Sequence, residues 1–231
     1  MNKSISFLSL LGVLVLLSAF SSDNCEGYFP YKEGTRLEYT SYDKKGKEEG
    51  KMIMTLQEKK STDAGLEITM ATEIVDEKNK EALNGSFGIR CEGDKFYFDM
   101  SNMIPAEMME SMGEMDMEIT SDYLEFPANA VAGQTLPDGT MTIKAGLNGV
   151  NVMNMTVLVT DRRIDGFEQV TTPAGTFDCM KYSFTTTTKM MFTVTSSSTT
   201  WLAKEVGNVK TENYDNKGRL ESSSVLTAAS F

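Results

Sequence analysis

From Thr35 onward the chain is written in period two, and that rhythm limits the fold more than any other feature. TRLEYTSY alternates Leu37 and Tyr39 with hydroxyl and charged neighbours, and KMIMTLQ sets Met52, Met54 and Leu56 on one face with Ile53 opposite. Similar runs recur as LEITMATEIV, SFGIRC, KFYFDM, TMTIKA, VNVMNMTVLVTDRRI, FEQVTTP, TFDCMKYSFTTTT, MFTVTSSSTTWLA, GNVKTENYD and RLESSSVLTAA. Successive side chains of a strand point to opposite faces, so such runs predict half-buried strands. Roughly a dozen of them, with short turn signals between, predict a mainly β, antiparallel curved sheet: an open barrel or a sandwich.

The turns echo one another. Tyr42-Asp43-Lys44-Lys45-Gly46-Lys47 returns as Tyr214-Asp215-Asn216-Lys217-Gly218-Arg219, with a looser copy at Asp76-Glu77-Lys78-Asn79-Lys80. A repeated binding loop is one reading. Hairpin chemistry is the stronger one: Asp opens the turn through its side chain, and Gly or Asn accepts the positive φ.

One segment breaks the rhythm. In SNMIPAEMMESMGEMDME, residues 101–118, the residues Ile104, Met108, Met112 and Met115 fall on one arc of a helix, with Glu107, Glu110 and Glu114 opposite. Pro105 suits only a first turn. The spacing predicts a short amphipathic Met-rich helix across the sheet. The Gly/Pro-rich stretch that follows reads as a long connection, with a possible divide between two halves near 128–133.

The N-terminus predicts a secretory signal: Lys3, an apolar run from Phe7 to Leu17, and the small residues Ala19 and Ser21 before a cleavage site. The run is shorter than the roughly 20 residues of a spanning helix. The expected organisation is a signal peptide at 1–21 and a single all-β exported domain at 22–231. Cys25 follows Ser22-Asp23-Asn24, a poor lipid-attachment box. The expectation is therefore a protein soluble after cleavage, in the periplasm or outside, with no transmembrane anchor.

Composition narrows the chemistry. The chain has no histidine, which removes Ser-His-Asp and Cys-His catalysis and His-ligated zinc. Its net charge of −11 argues against nucleic acid and anionic lipid headgroups as partners. Acidic pairs such as Glu48-Glu49 and Glu114-Asp116 could in principle hydrolyse glycosides, but in an acidic chain they read as solvated surface. The expectation is no enzyme, no cofactor and no metal. Trp201, Tyr214 and Tyr182 could stack on a sugar, though such residues are more often core or rim. Of the three cysteines, Cys25 and Cys91 are the expected disulfide in an oxidising compartment, and Cys179 is the expected buried thiol.

The strings NCEGYFPYKEGTRLEYTSYDKKGKEEGK, CEGDKFYFDM, TTPAGTFDCMKYSF and WLAKEVGNVKTENYDNKGRLESSSVLTA resemble the TapB-like family of exported proteins of Bacteroidota. The resemblance spans nearly the whole mature chain. It implies a barrel-like fold of the LolA/LolB carrier type, with an apolar concave face partly covered by helix, and it carries no catalytic residues.

Three uses of the Met-rich segment compete. It could be gap-filling core. It could cover an apolar, lipid-like ligand, with Ile104, Met108, Met112 and Met115 as contact residues. It could also hold Cu(I) through Met109, Met112, Met115 and Met117. The functional expectation is a non-enzymatic envelope protein that binds or carries an apolar small molecule. The alternatives are an envelope protein-interaction module without internal ligand, and a Met-type copper binder. Partner and oligomeric state are left open.

Overall fold

The computed structural model describes residues 27–76, 82–104, 113, 115–148 and 150–231. The predicted signal peptide and Cys25 lie outside them, as do Met108, Met109 and Met112. Among the described residues are thirteen strands: β1 Arg36–Asp43, β2 Glu48–Thr62, β3 Gly65–Asp76, β4 Ala82–Glu92, β5 Lys95–Asp99, β6 Asp116–Ser121 and β7 Tyr123–Pro127, then β8 Gly139–Leu147, β9 Val150–Thr172, β10 Gly175–Lys189, β11 Thr193–Ala203, β12 Gly207–Tyr214 and β13 Leu220–Ser230. A single 3-10 turn, Met100–Met103, follows β5.

All thirteen belong to one antiparallel sheet, in the order β6-β8-β9-β10-β11-β12-β13-β1-β2-β3-β4-β5-β7. The sheet curls into a nearly closed barrel. Most neighbours are consecutive in sequence and joined by hairpins. The exception in mid-sheet is β1 with β13, where Arg36 faces Ser230 and Asp43 faces Ser222.

The two outer strands are β6 and β7, and only Asp122 separates them in the chain. Up to Ser121 the backbone pairs with β8; from Tyr123 it pairs with β5. Asp122 fastens the changeover. Its N–H donates to the Thr140 carbonyl at 2.9 Å, and its carbonyl accepts from the Met100 N–H at 3.2 Å. Its carboxylate accepts from the Thr140 N–H at 2.8 Å. Beside it, Asp99 accepts from the Ser121 hydroxyl and the Ser101 N–H. Burial pulls the Asp99 carboxyl upward, but these hydrogen bonds outweigh it and hold the group below its ordinary range.

Of the expected helix over 101–118, residues 105–112 and 114 lie outside the described residues, and the described ends are not α-helical. Ile104 is extended at φ −78°, ψ 121°, the conformation forced on a residue before proline. Met115, Met117 and Ile119 alternate with Asp116, Glu118 and Thr120, so the end of the segment satisfies a period of two as well as 3.6. Pairing with β8 decides in favour of the strand. Ile104 and Met117 pack against the core, and Met115 is half-buried.

Each strand turns one face into the barrel. In β8, Met141, Ile143 and Ala145 are buried while their neighbours are not. Rings form a continuous ladder: Phe29, Phe96, Phe126, Tyr182 and Phe184 follow one another at centroid spacings of 4.9–5.1 Å. Offset and edge contacts of this kind add to the burial of the rings themselves.

β9 was expected as two strands and is one of 23 residues. A bulge makes it possible. Val157 and Val159 face inward, then Asp161 takes a left-handed φ of 52°, and Arg162 and Ile164 face inward instead. The extra residue shifts the phase by one and exchanges the two faces.

Candidate functional site

The inward faces enclose an apolar hollow of about 390 Å³. Leu37 and Tyr39 of β1 and Phe87 and Ile89 of β4 line it. So do Phe96 and Phe98 of β5, Leu124 and Phe126 of β7, and Tyr182 and Phe184 of β10. The size falls within the range of small-molecule sites, and the lining is of the apolar and aromatic kind such sites use.

One end is stopped by the segment before β1. Tyr28, Phe29 and Pro30 reach the hollow, and the Glu205 N–H donates to the Gly27 carbonyl at 3.0 Å. Gly207, at φ +88°, lets this segment approach: a Cβ there would stand 3.1 Å from Pro30. Two conformational demands, positive φ and little room, fall on one position.

The few polar atoms at the wall are already engaged. The Tyr39 hydroxyl donates to the Asn208 carbonyl at 2.8 Å, and burial pushes its phenol well above the ordinary range. Thr200 and Thr211 share a hydroxyl contact at 3.3 Å, and the Asn208 amide donates to Thr211 at 3.0 Å. A wall whose polar groups are satisfied within the protein asks none of its contents.

Between β7 and β9 lies a buried cation. Arg162 is 1% exposed. Its Nε donates to the Tyr182 hydroxyl at 2.7 Å, Nη1 to the Pro137 carbonyl at 2.5 Å and Nη2 to the Glu125 carbonyl at 2.9 Å. The guanidinium also stacks 4.8 Å from the Phe126 ring centroid. Burial raises the Tyr182 phenol, with Arg162 working against that rise. Sequence reading did not find this residue, because unbroken alternation along β9 places it on the outside.

A larger cleft of about 690 Å³ lies beyond Arg162. It is walled by Asp138, Asp161, Arg163, Ser183, Thr185 and Tyr214 among others. Charges and hydroxyls dominate there, so water serves it as well as a ligand would. The apolar hollow is where a ligand gains most over water.

The sequence-expected contact residues are only partly in view. Ile104 packs on the core, Met115 is half-buried, and Met108 and Met112 lie outside the described residues. Of the two described, neither Ile104 nor Met115 lines the apolar hollow. For the copper reading, Met117 packs on the core and Met109 lies outside the described residues. Trp201, Tyr214 and Tyr182 do not form a platform. Lys181 pairs with Trp201 and Tyr182 with Thr200, which puts Trp201 and Tyr182 on opposite faces. Trp201 is covered by Lys181 and Lys210 at 5.3 and 4.7 Å, and its indole N–H donates to Glu168. Tyr214 donates to Glu212.

Cys91 is disulfide-bonded, and Cys179 is free and buried. The expected partner of Cys91, Cys25, lies outside the described residues. Among the described residues no group of three His, Cys, Asp or Glu stands close enough to hold a metal ion. None of their helices is long and apolar enough to cross a membrane.

No curated protein matches the chain. Two solved structures do. One is a Bacteroides fragilis protein inferred to be exported, described as having a YmcC-like fold, at 24% identity and a TM-score of 0.71. The other is an inferred lipoprotein of Parabacteroides distasonis at 25% identity and a TM-score of 0.73. Each alignment covers 90% of this chain and 100% of the other. Both neighbours are exported-type proteins of Bacteroidetes, as the resemblance implied, while neither the TapB-like name nor the LolA/LolB type is confirmed, and the family is set by a family model. That model matches residues 32–226, and the chain belongs to the DUF3108-like family.

Proposed function

We propose that this protein is a non-enzymatic component of the bacterial envelope that holds one lipid-like apolar molecule inside its barrel. The observation that carries the reading is the aromatic hollow of about 390 Å³, whose wall polar atoms are already paired. The ligand contacts are the rings of Phe87, Phe96, Phe98, Phe126 and Phe184. The signal peptide expected at 1–21 and the exported neighbours support an envelope location.

The test is native mass spectrometry of the protein purified from the envelope fraction, then titration of the delipidated protein with a fluorescent fatty acid. Leu202, on the wall of the hollow, is replaced by tryptophan to fill it. The reading expects stoichiometric uptake by the natural protein and at least tenfold weaker uptake by Leu202→Trp. Equal uptake by both proteins, or none by the natural one, overturns it.

A further inference from the structure

The strand directions bring the hairpins β10–β11, β12–β13 and β1–β2 to one end of the barrel, where β10–β11, paired on from Ser197 to Thr193 beyond the end of β12, projects farthest. The first of these tips is apolar and fully presented. Met190, Met191 and Phe192 are 48%, 90% and 70% exposed, and Val194 below them is 52% exposed. The Met190 N–H donates to the Phe192 carbonyl at 3.2 Å, which sets Met191 at the apex of a tight turn.

The two adjacent tips are basic. Lys44, Lys45 and Lys47 crown β1–β2; Lys217 and Arg219 crown β12–β13; Lys189 stands at the base of the apolar tip. Asp43 and Asp215 are turned into their own turns, each accepting two backbone N–H bonds. Each of the three tips, 43–48, 189–193 and 214–220, carries a net single positive charge, while Glu49 and Glu221 lie lower on the strands. The whole chain is at −11, but charges beyond a Debye length of about 8–10 Å are screened at physiological salt. An approaching surface therefore meets the β10–β11 tip first and the two basic tips behind it.

We propose that this end of the barrel docks on a lipid bilayer, with Met191 and Phe192 inserted into the headgroup–acyl boundary, Lys189 at the phosphates and the lysines of the two shorter tips facing the membrane surface from behind. A projecting apex of three residues is far too small for a stable protein interface, which takes about 800 Å² from each partner. It matches the ~5–10 Å insertion depth of interfacial segments. Lysine and arginine near an anionic surface strengthen such contact. The proposal concerns the outside of one rim and does not depend on what the barrel holds.

The experiment is co-sedimentation of the protein, purified from the envelope fraction, with vesicles of phosphatidylethanolamine and phosphatidylglycerol at 3:1. Three variants accompany it: Met191→Ser/Phe192→Ser, Lys44→Gln/Lys45→Gln/Lys47→Gln, and Leu202→Trp. The natural protein is expected to sediment with vesicles, and the serine pair to lose on the order of 100-fold in partitioning. The glutamine triple should bind more weakly and with less dependence on salt. Leu202→Trp should sediment like the natural protein, which separates docking from uptake into the hollow. Serine residues at an exposed apex leave folding intact, and an unchanged near-ultraviolet spectrum checks this. Failure of the natural protein to sediment overturns the proposal, as does equal sedimentation of the serine pair. So does a photo-crosslinker at Met191 that captures an envelope protein while vesicles are ignored.

Discussion

The Nε of Arg162 donates to the Tyr182 hydroxyl at 2.7 Å, joining β9 to the next strand by a side-chain bond inside the barrel wall. The other two donors reach the carbonyls of Pro137 and Glu125, so the same guanidinium also holds β7 and the approach to β8. All three acceptors are neutral oxygens, and each loses its donor if the side chain is cut back. Arg162→Ala is expected to cost about 3–5 kcal/mol, read as a lower denaturant midpoint. Arg162→Lys keeps the charge but cannot form the fork, and should lie between the two. A loss below about 1 kcal/mol for the alanine variant would show that water replaces the bonds.

Gly65 turns the β2–β3 hairpin at φ +142°, and a Cβ there would stand 2.0 Å from the Cys91 carbonyl oxygen. A backbone atom cannot step aside as a flexible side chain can. Gly65→Ala should cost at least ~2 kcal/mol. Gly46→Ala, where nothing lies within 4 Å, should cost only the strain of its φ of +75°. Thermal unfolding of the two variants side by side checks the order.

Asp215 supports the turn before β13. Its carboxylate accepts first from the Arg219 N–H, then from the Arg219 side chain and the Lys217 N–H, and its pKa falls to about 2. A depressed folded pKa means that the carboxylate's support is complete above its ordinary value near 4. It is lost as pH falls through about 2. Amide exchange at Lys217 and Arg219 should accelerate across that window. Asp215→Ala, which has no acceptor for either N–H, should show fast exchange there already at neutral pH.

Cys179 lies buried beside β9, and its thiol is pushed up to about 11 by burial, with Asp178 and Glu168 adding to the rise. The thiolate is the reactive form. Folded protein should resist iodoacetamide at pH 8 and react at this position only in denaturant. Peptide mapping without reductant is expected to show Cys91 linked to Cys25. A Cys91–Cys179 peptide would refute the pairing.

The strands were legible because each shows one face to the barrel and one to water, which writes period two into the sequence. The paired turns were legible for a local reason: Asp43 and Asp215 close them through their own carboxylates. Other features depend on contacts that no local pattern records. Met115 and Ile119, four residues apart, suit a helical period and, with Met117 between them, a strand period as well; the pairing of Asp116–Ser121 with β8 resolves them. Arg162 faces inward because Asp161 bulges, and an aspartate in a polar stretch does not announce a phase shift. The hollow gathers rings from five or more strands spread over the chain, so its aromatic character was invisible to any single window. The rim of exposed Met191 and Phe192 was read as part of a strand, since exposure at a hairpin apex is set by where the turn falls.

The pairing of β1 with β13 has a consequence for how the chain must be made. The Thr227 hydroxyl donates to the Glu38 carbonyl across a separation of 189 residues. A chain that emerges from a ribosome or translocon with its N-terminus leading presents β1 early. The strand that will cover its second edge comes after all twelve others. For most of that passage two bare edges, on β1 and on the growing front, invite pairing with other chains. A holding chaperone is the natural companion of such a topology. Nascent chains stopped before Leu220 should aggregate, whereas the complete chain folds.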